Sequence, residues 1–433
     1  MLKSNVFIHK DNDLHQAVLY DTYSCKLFSL PFEMADRAYQ GCLTVDEESA
    51  VNALVSDSHS KAKCKNIGTL ESLRLLITNK CNFKCDYCFA DAGSYGLARA
   101  SMSPQMARDI IDYFYSSYDS ILQISFFGGE PLIASNVIAC VCDYIKSSYP
   151  DKHPSYSIVT NASLLDDDIT NVLAKNSISV VASVDGPRQI NDLHRVYKSG
   201  VGTFNDVDAN LRQYGSRLRL SVEATYTSSH VDGGLSRSDL HQYLSSRYGV
   251  SRVIIADASI EGDEFGKKSI EPSEFPLFLR VRDFFDGGCM LFSDEICNLI
   301  RTFIVGGNSL HFCGAGFDRF TVDMTGNVYP CHLFVGDTRY IISNVGSVSD
   351  ERRNPGILDK SSAECRDCCY RAFCLACTYE MTRGRELCRQ NKEGIDYFLH
   401  RMLDLFITNR SEYDLVLRRC LDYVHENRLP KTA

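Results

Sequence analysis

The segment Cys81-Asn-Phe-Lys-Cys85-Asp-Tyr-Cys88 sets three thiols at a C-x3-C-x2-C spacing. On one tight loop, three thiolates can hold three irons of a [4Fe–4S] cube and leave the fourth iron open to another ligand. Structural zinc is the alternative, though it usually takes a fourth protein ligand, and no other His or Cys stands near in sequence. A second group comprises Cys313, Cys331, Cys365, Cys368, Cys374, Cys377 and Cys388, with Cys369 an ambiguous neighbour of Cys368. Cys25, Cys42, Cys64, Cys140, Cys142, Cys289, Cys297 and Cys420 are scattered and read as small buried apolar side chains.

Gly128-Gly129-Glu130-Pro131 carries a different signal. Paired glycines let backbone approach a ligand closely, and an acidic side chain suits an ammonium group. Alone, such a sequence is more often a turn. Ser183-Val184-Asp185 and Asn191-Asp192-x-x-Arg195 add polar groups further along.

These residues need elements to carry them, and the pattern supplies an alternation. Strands are expected at Leu73–Ile77, Ile121–Phe127, Tyr156–Thr160, Ile178–Val184, Leu218–Tyr226 and Val253–Ala256. Helices are expected between them, the first opened by Ser103-Pro104, an N-cap and first-turn pair. Six strands alternating with helices argue an α/β parallel sheet, either an open doubly wound sheet or a partial barrel. In a barrel the chemistry sits beyond the C-terminal strand ends, where the Cys81 triplet and the Gly128 motif fall.

Outside residues 70–305, the chain divides into three further parts. Residues 1–65 predict three short strands (Val6–His9, Ala17–Tyr20, Lys26–Leu30), two helices and a polar linker at 57–65. Residues 306–392 are cysteine-rich, with a hairpin cue at Met324-Thr325-Gly326-Asn327. Residues 393–433 predict amphipathic helices, begun by Ile395, Phe398, Met402 and Leu405.

Composition bounds the class. Of 433 residues, 44% are apolar and 23% charged, which excludes disordered and fibrous chains. No apolar run reaches the roughly 20 residues of a membrane span, and the N-terminus lacks a signal-peptide core. The expectation is a cytoplasmic protein without a membrane partner. There, 19 cysteines serve metal or cluster ligation rather than disulfides. A net charge of −9 weighs against nucleic acid as main partner.

The Cys81 triplet placed after the first barrel strand, followed by Phe89, resembles the radical S-adenosylmethionine (SAM) superfamily. The Gly128 motif matches the family's G-G-E-P residue for residue, and the resemblance implies contact between Gly128, Gly129, Glu130 and the methionine amino group. It also implies that Ser183 meets the ribose and that Arg195 pairs with the methionine carboxylate, although Asn191 stands where the family has His. Thr160-Asn161 closes the third barrel strand as in relatives, with Ala162 where glycine is commoner.

The later cysteines are similar to the SPASM extension of peptide-modifying radical enzymes. That likeness implies two auxiliary clusters, Cys313, Cys331 and Cys377 on the first, and Cys365, Cys368, Cys374 and Cys388 on the second. Three [4Fe–4S] clusters and S-adenosyl-L-methionine are therefore the expected cofactors. The Cys374–Cys377 spacing departs from the family's commoner C-x3-C, and zinc at one site stays an alternative. Residues 314–320 contain no eighth cysteine, which leaves an iron of the first auxiliary cluster open.

Residues 1–65 resemble the start of maturases for ribosomally made, cysteine-containing peptides. A small winged-helix-like element there implies recognition of a precursor's leader peptide, by addition of a strand to a sheet edge; a mere packing appendage is the alternative. The expected activity is thioether formation between a cysteine sulfur and a carbon of the precursor. The runners-up are a formylglycine-forming sulfatase maturase and a carbon–carbon crosslinking maturase. Sulfatase maturases carry an acidic base after the second SPASM cysteine, whereas His332 follows Cys331 here. An electron donor such as flavodoxin or ferredoxin is the remaining expected partner. No residue is assigned as a catalytic acid or base.

Overall fold

The computed structural model describes residues 2–55, 68–257, 276–287, 292–306, 312–346, 359–374, 376–383 and 386–428. The linker expected at 57–65 lies outside them, as do Cys64 and Cys289. The chain forms two units, one of Met1–Cys64, Lys268–Cys313 and Leu358–Ala433, the other of Lys65–Lys267 and Gly314–Ile357.

The first unit opens with β1 (Val6–Asp11), β2 (Gln16–Asp21) and β3 (Lys26–Leu30), an antiparallel sheet in that order. Helix α1 (Phe32–Tyr39) starts directly after Pro31, whose fixed φ suits a helix entrance. Helix α2 (Val45–Leu54) begins at a capping box. The Thr44 hydroxyl accepts from the Glu47 N–H at 3.2 Å, and the Glu47 carboxylate accepts from the Thr44 N–H at 2.9 Å. Side chains alternate across a strand, so β2 buries both faces. Ala17 and Leu19 meet Ala35, Val51 and Val55 on one side.

The second unit is built on six parallel strands: β4 (Thr69–Thr78), β5 (Ser120–Gly128), β6 (Ser155–Thr160), β7 (Ser179–Ser183), β8 (Arg219–Tyr226) and β9 (Val253–Asp257). Each pairs with the next in sequence, in the order a partial barrel requires. Between them run α3 (Pro104–Ser117), α4 (Ser135–Ser148), α5 (Asp167–Lys175), α6 (Arg188–His194), α7 (Phe204–Tyr214), α8 (Ser228–Asp232) and α9 (Arg237–Tyr248). Ser103 caps α3, its hydroxyl accepting from the Met106 N–H at 3.1 Å, and α3 buries Ala107, Ile110, Ile111 and Phe114. These are the α/β elements expected from the alternation of apolar runs.

Helices α10 (Pro276–Asp286) and α11 (Asp294–Val305) return to the first unit. Strands β10 (Arg319–Val322), β11 (Asn327–Tyr329) and β12 (Ser343–Asn344) then rejoin the barrel unit. The hairpin expected at 324–327 joins β10 to β11, and β10 lies parallel to β4, Phe320 opposite Leu73. The sheet thereby reaches nine strands, in the order β12-β11-β10-β4-β5-β6-β7-β8-β9. Nothing in the local pattern announces this, because a four-residue strand of mixed polarity, Arg319-Phe-Thr-Val, does not say which strand edge it joins.

The chain closes on α12 (Ala363–Arg366), α13 (Thr378–Arg383), α14 (Glu386–Thr408) and α15 (Arg410–Arg428). Phe7, Val18 and Tyr20 from the other face of the small sheet share one core with Val281, Phe303, Phe398 and Met402. Tyr20 stacks on Phe303 at 4.6 Å, and its hydroxyl donates to the Phe303 carbonyl at 2.8 Å. The small sheet is therefore part of this unit's core. Among the scattered cysteines, Cys142, Cys297 and Cys420 are buried and Cys25 and Cys140 half-buried. Cys42 departs from that reading: it is exposed, on the turn that follows α1. No described helix is long and apolar enough to cross a membrane.

Candidate functional site

At the C-terminal end of β4 the chain turns into the Cys81 loop. Asn79, fully buried, holds the segment on which the loop returns. Its amide donates to the carbonyl of Ala98 at 2.8 Å and accepts from the Ala100 N–H at 2.6 Å. Within the loop the Cys88 N–H reaches the Cys85 carbonyl at 3.3 Å. Cys81, Cys85 and Cys88 are half-buried and outside any disulfide. Burial pushes the Cys81 thiol up to about 12 and the Cys85 thiol up to about 11; the charges of Cys85 and Cys88 add to the rise at Cys81. Bare, these two are thiols at neutral pH, and a bound cation is what would ionise them. Three soft donors on one loop, near enough to feel one another's charge, fit the three irons of a cube with one site open.

The Gly128 motif lies against this loop, backbone to backbone. Gly129 N–H donates to the Thr78 carbonyl at 2.9 Å, and Glu130 N–H to the Lys80 carbonyl at 2.8 Å. A Cβ on Gly128 would stand 2.0 Å from the Thr78 carbonyl oxygen, and one on Gly129 would stand 2.4 Å from that of Lys80. Only glycine permits the approach. Glu130 is fully buried. Its carboxylate accepts from the Thr160 hydroxyl at 2.7 Å, the Asn161 N–H at 2.7 Å and the Leu132 N–H at 2.9 Å. Burial raises its pKa to about 7 against those three donors. Glu130 thus straps the end of β5 to the end of β6, and three of a carboxylate's roughly four acceptor positions are taken by the chain itself.

On the other side of the Cys81 loop, buried Asp185 gathers three partners. It accepts from the Thr225 N–H at 2.9 Å and from the Tyr87 hydroxyl, and pairs with Arg195, whose Nε lies 3.0 Å away. The Arg195 guanidinium sits 5.6 Å from the centre of the Tyr87 ring, inside the cysteine motif. Asn191, where His was the familiar residue, accepts from the Asp185 N–H at 3.3 Å and donates to the Thr203 hydroxyl at 3.3 Å, so it holds the Asp185 turn. Ser183 stands half-buried at the end of β7. Spacing alone did not single out Tyr87 or the ion-paired role of Asp185.

A further pair was not foreseen. Arg74 of β4 donates to Nδ1 of His332 and lies 4.7 Å over the Phe127 ring, while His332 meets Phe89 and Phe127 edge-on at 5.4 and 5.1 Å. Glu223 of β8 is half-buried, and Arg195 and Arg74 both act on its charge. A charged residue set among apolar ones carries no signal of its distant partner, so only the folded sheet reveals these neighbours.

In the first unit, Cys365, Cys368, Cys374 and Cys388 line one cavity of about 380 Å³. Cys369 is not among the described lining residues, and burial pushes its thiol up to about 11. Four thiols around one space are the donor number of a tetrathiolate iron–sulfur cluster, whereas among the described residues no three His, Cys, Asp or Glu are grouped as a single metal ion such as zinc needs. Cys313 Sγ lies 3.2 Å from the Thr378 hydroxyl, and its charge acts on Cys377. Cys331 belongs to the barrel unit, just before the turn His332–Phe334.

Residues 75–230 match the model of the Radical SAM superfamily. An uncharacterized protein of Methanocaldococcus jannaschii is 36% identical over 131 residues, 30% of this chain; the chain spans 44% of that relative's length. A cysteine-type anaerobic sulfatase-maturating enzyme of Clostridium perfringens (strain 13 / Type A) is 26% identical over 361 residues, 76% of this chain and 92% of that protein. Among solved structures, histidine-tagged anSMEcpe with bound AdoMet superposes with a TM-score of 0.63 at 20% identity, covering 81% of this chain and 98% of that one. With residues 75–230 matched to that model and the α/β fold shared, the protein is an enzyme that carries a radical SAM domain.

Proposed function

We propose that the enzyme is a peptide maturase that joins a cysteine sulfur to a carbon of another residue in a ribosomally made precursor. The observation that carries this reading is the placement of the thiols. Cys81, Cys85 and Cys88 share the loop beyond β4, and Cys365, Cys368, Cys374 and Cys388 share one cavity in the other unit. On this reading the triplet holds the catalytic [4Fe–4S] cluster, the cavity holds one auxiliary cluster, and Cys313, Cys331 and Cys377 serve another. When bound, the reduced cluster and S-adenosylmethionine supply a 5′-deoxyadenosyl radical that takes a hydrogen atom from an unactivated C–H bond. The chain's residues bind and orient. Gly128 and Gly129 bring backbone up to the cysteine loop, Glu130 braces that turn, and Ser183 and Arg195 flank the nucleoside and carboxylate ends.

Thioether closure removes two hydrogens from the peptide. One leaves as the abstracted hydrogen atom, the thiol proton goes to solvent, and one electron goes to an oxidised carrier of the flavodoxin or ferredoxin class. For the precursor's leader, β3 is the candidate edge: β1 and β3 each pair with β2 alone, and β1 lies against α14, where His9 Nδ1 is 2.9 Å from His400 Nδ1.

A sulfatase maturase is the second reading, favoured by the Clostridium relative that this chain matches over nearly its full length. His332 speaks against it. Such enzymes use an acidic base at the position after Cys331, but arginine only donates, so Arg74 makes His332 Nδ1 an acceptor and leaves the ring proton on Nε2. His332 then offers a donor rather than a base.

Co-expression with a cysteine-rich precursor, followed by mass spectrometry, tests the proposal. A product lighter by two hydrogens, with one alkylatable thiol lost per link, is expected. Loss of the hydrogens with every thiol intact means a carbon–carbon link, and loss of sulfur from cysteine means formylglycine.

A further inference from the structure

The four-thiol cavity contains one buried cation. Lys360 is only 3% exposed, although its side chain lines the space with Cys365, Cys368, Cys374 and Cys388. Its ammonium lies 5.8 Å from the centre of the Phe312 ring, and Cys374, Cys365 and Cys368 are the thiols whose charges act on it. Arg389, Lys392 and Glu364 also line the cavity but are exposed, so water and salt screen them. Arg371 is half-buried. A buried ammonium is costly unless an anion compensates it. The anionic groups that act on Lys360 are these thiols, once ionised.

We propose that Lys360 is the charge partner of the cluster held by Cys365, Cys368, Cys374 and Cys388, and that it raises that cluster's reduction potential. The inference rests on those cysteines binding a cluster. Four thiolates leave a [4Fe–4S] assembly anionic, and each added electron makes it more so. A fixed positive charge in low dielectric stabilises the reduced form more than the oxidised one. Lys360 is thus a positioning and tuning residue, with no contact to substrate required.

The test uses the full chain, reconstituted anaerobically in a Cys81/Cys85/Cys88→Ala background that leaves auxiliary clusters alone. Iron is counted, and each signal's midpoint is found by dye-mediated redox titration read by EPR. The signal that disappears in Cys365→Ala/Cys368→Ala identifies the cavity's cluster. Lys360→Gln should lower its midpoint, so that the reduced-to-oxidised ratio at the original midpoint falls about tenfold, about 59 mV for one electron. Lys360→Arg, which keeps the charge, should stay near the original value. Equal midpoints in the Gln variant and the parent overturn the proposal. If the Gln variant cannot hold the iron, retention by the Arg variant supports charge pairing, and loss from both reduces Lys360 to packing. Iron unchanged in Cys365→Ala/Cys368→Ala would instead defeat the ligand assignment, a failure distinct from the others.

Discussion

Glu130 Oε2 accepts the Asn161 N–H at 2.7 Å, and through this bond a fully buried carboxyl ties β5 to β6 beside the cysteine loop. Burial, opposed by its three donors, leaves the group with a pKa of about 7 against an ordinary 4.5. The folded chain therefore binds this proton more tightly than the unfolded chain. Stability from it is complete below about 4.5 and is lost as pH rises through about 7, a change of roughly 3 kcal/mol. Denaturant unfolding of the iron-free protein at about pH 5 and about pH 8 should show that loss, and Glu130→Gln should abolish its share. An unchanged slope in the Gln variant would refute the assignment.

Gly129→Ala should separate the turn from the cysteine loop, because its Cβ would meet the Lys80 carbonyl oxygen at 2.4 Å. Overpacking of this kind costs about 1–3 kcal/mol. Anaerobic calorimetry should show weakened S-adenosylmethionine binding, with auxiliary iron unchanged. Full binding by the alanine variant would mean that the backbone approach is not needed.

Replacing Cys81, Cys85 and Cys88 together by Ala should abolish 5′-deoxyadenosine formation. Iron analysis should register the loss of about four of roughly twelve irons per chain. Persistent cleavage in that variant would place the reactive cluster elsewhere.

Leader recognition predicts a footprint. On adding a leader-containing precursor, the amides of Lys26–Leu30 in β3 should exchange more slowly with solvent, whereas a leaderless peptide should leave them unchanged. Deleting residues 1–65 is the poorer experiment, since Phe7, Val18 and Tyr20 belong to the core around Phe303 and Phe398. Equal protection by both peptides would remove the leader role.

The sequence by itself determined the elements of the barrel and the chemistry at its strand ends. Apolar runs in β4 through β9 and caps such as Ser103 act within a few residues, and those interactions survive in the folded chain. The Cys81 triplet and the Gly128 motif are local for the same reason: a loop that holds a cluster must fix its ligands by spacing. Tertiary structure alone decided what meets across the chain. Strand β10 joins β4, Arg74 meets His332, Asp185 collects Tyr87 and Arg195, and Lys360 enters the cavity of Cys365, Cys368, Cys374 and Cys388. The β10–β4, Arg74–His332 and Tyr87–Asp185 contacts link residues far apart in sequence. Sheet register and core packing select them, and a side chain leaves no trace of its distant partner in the residues beside it.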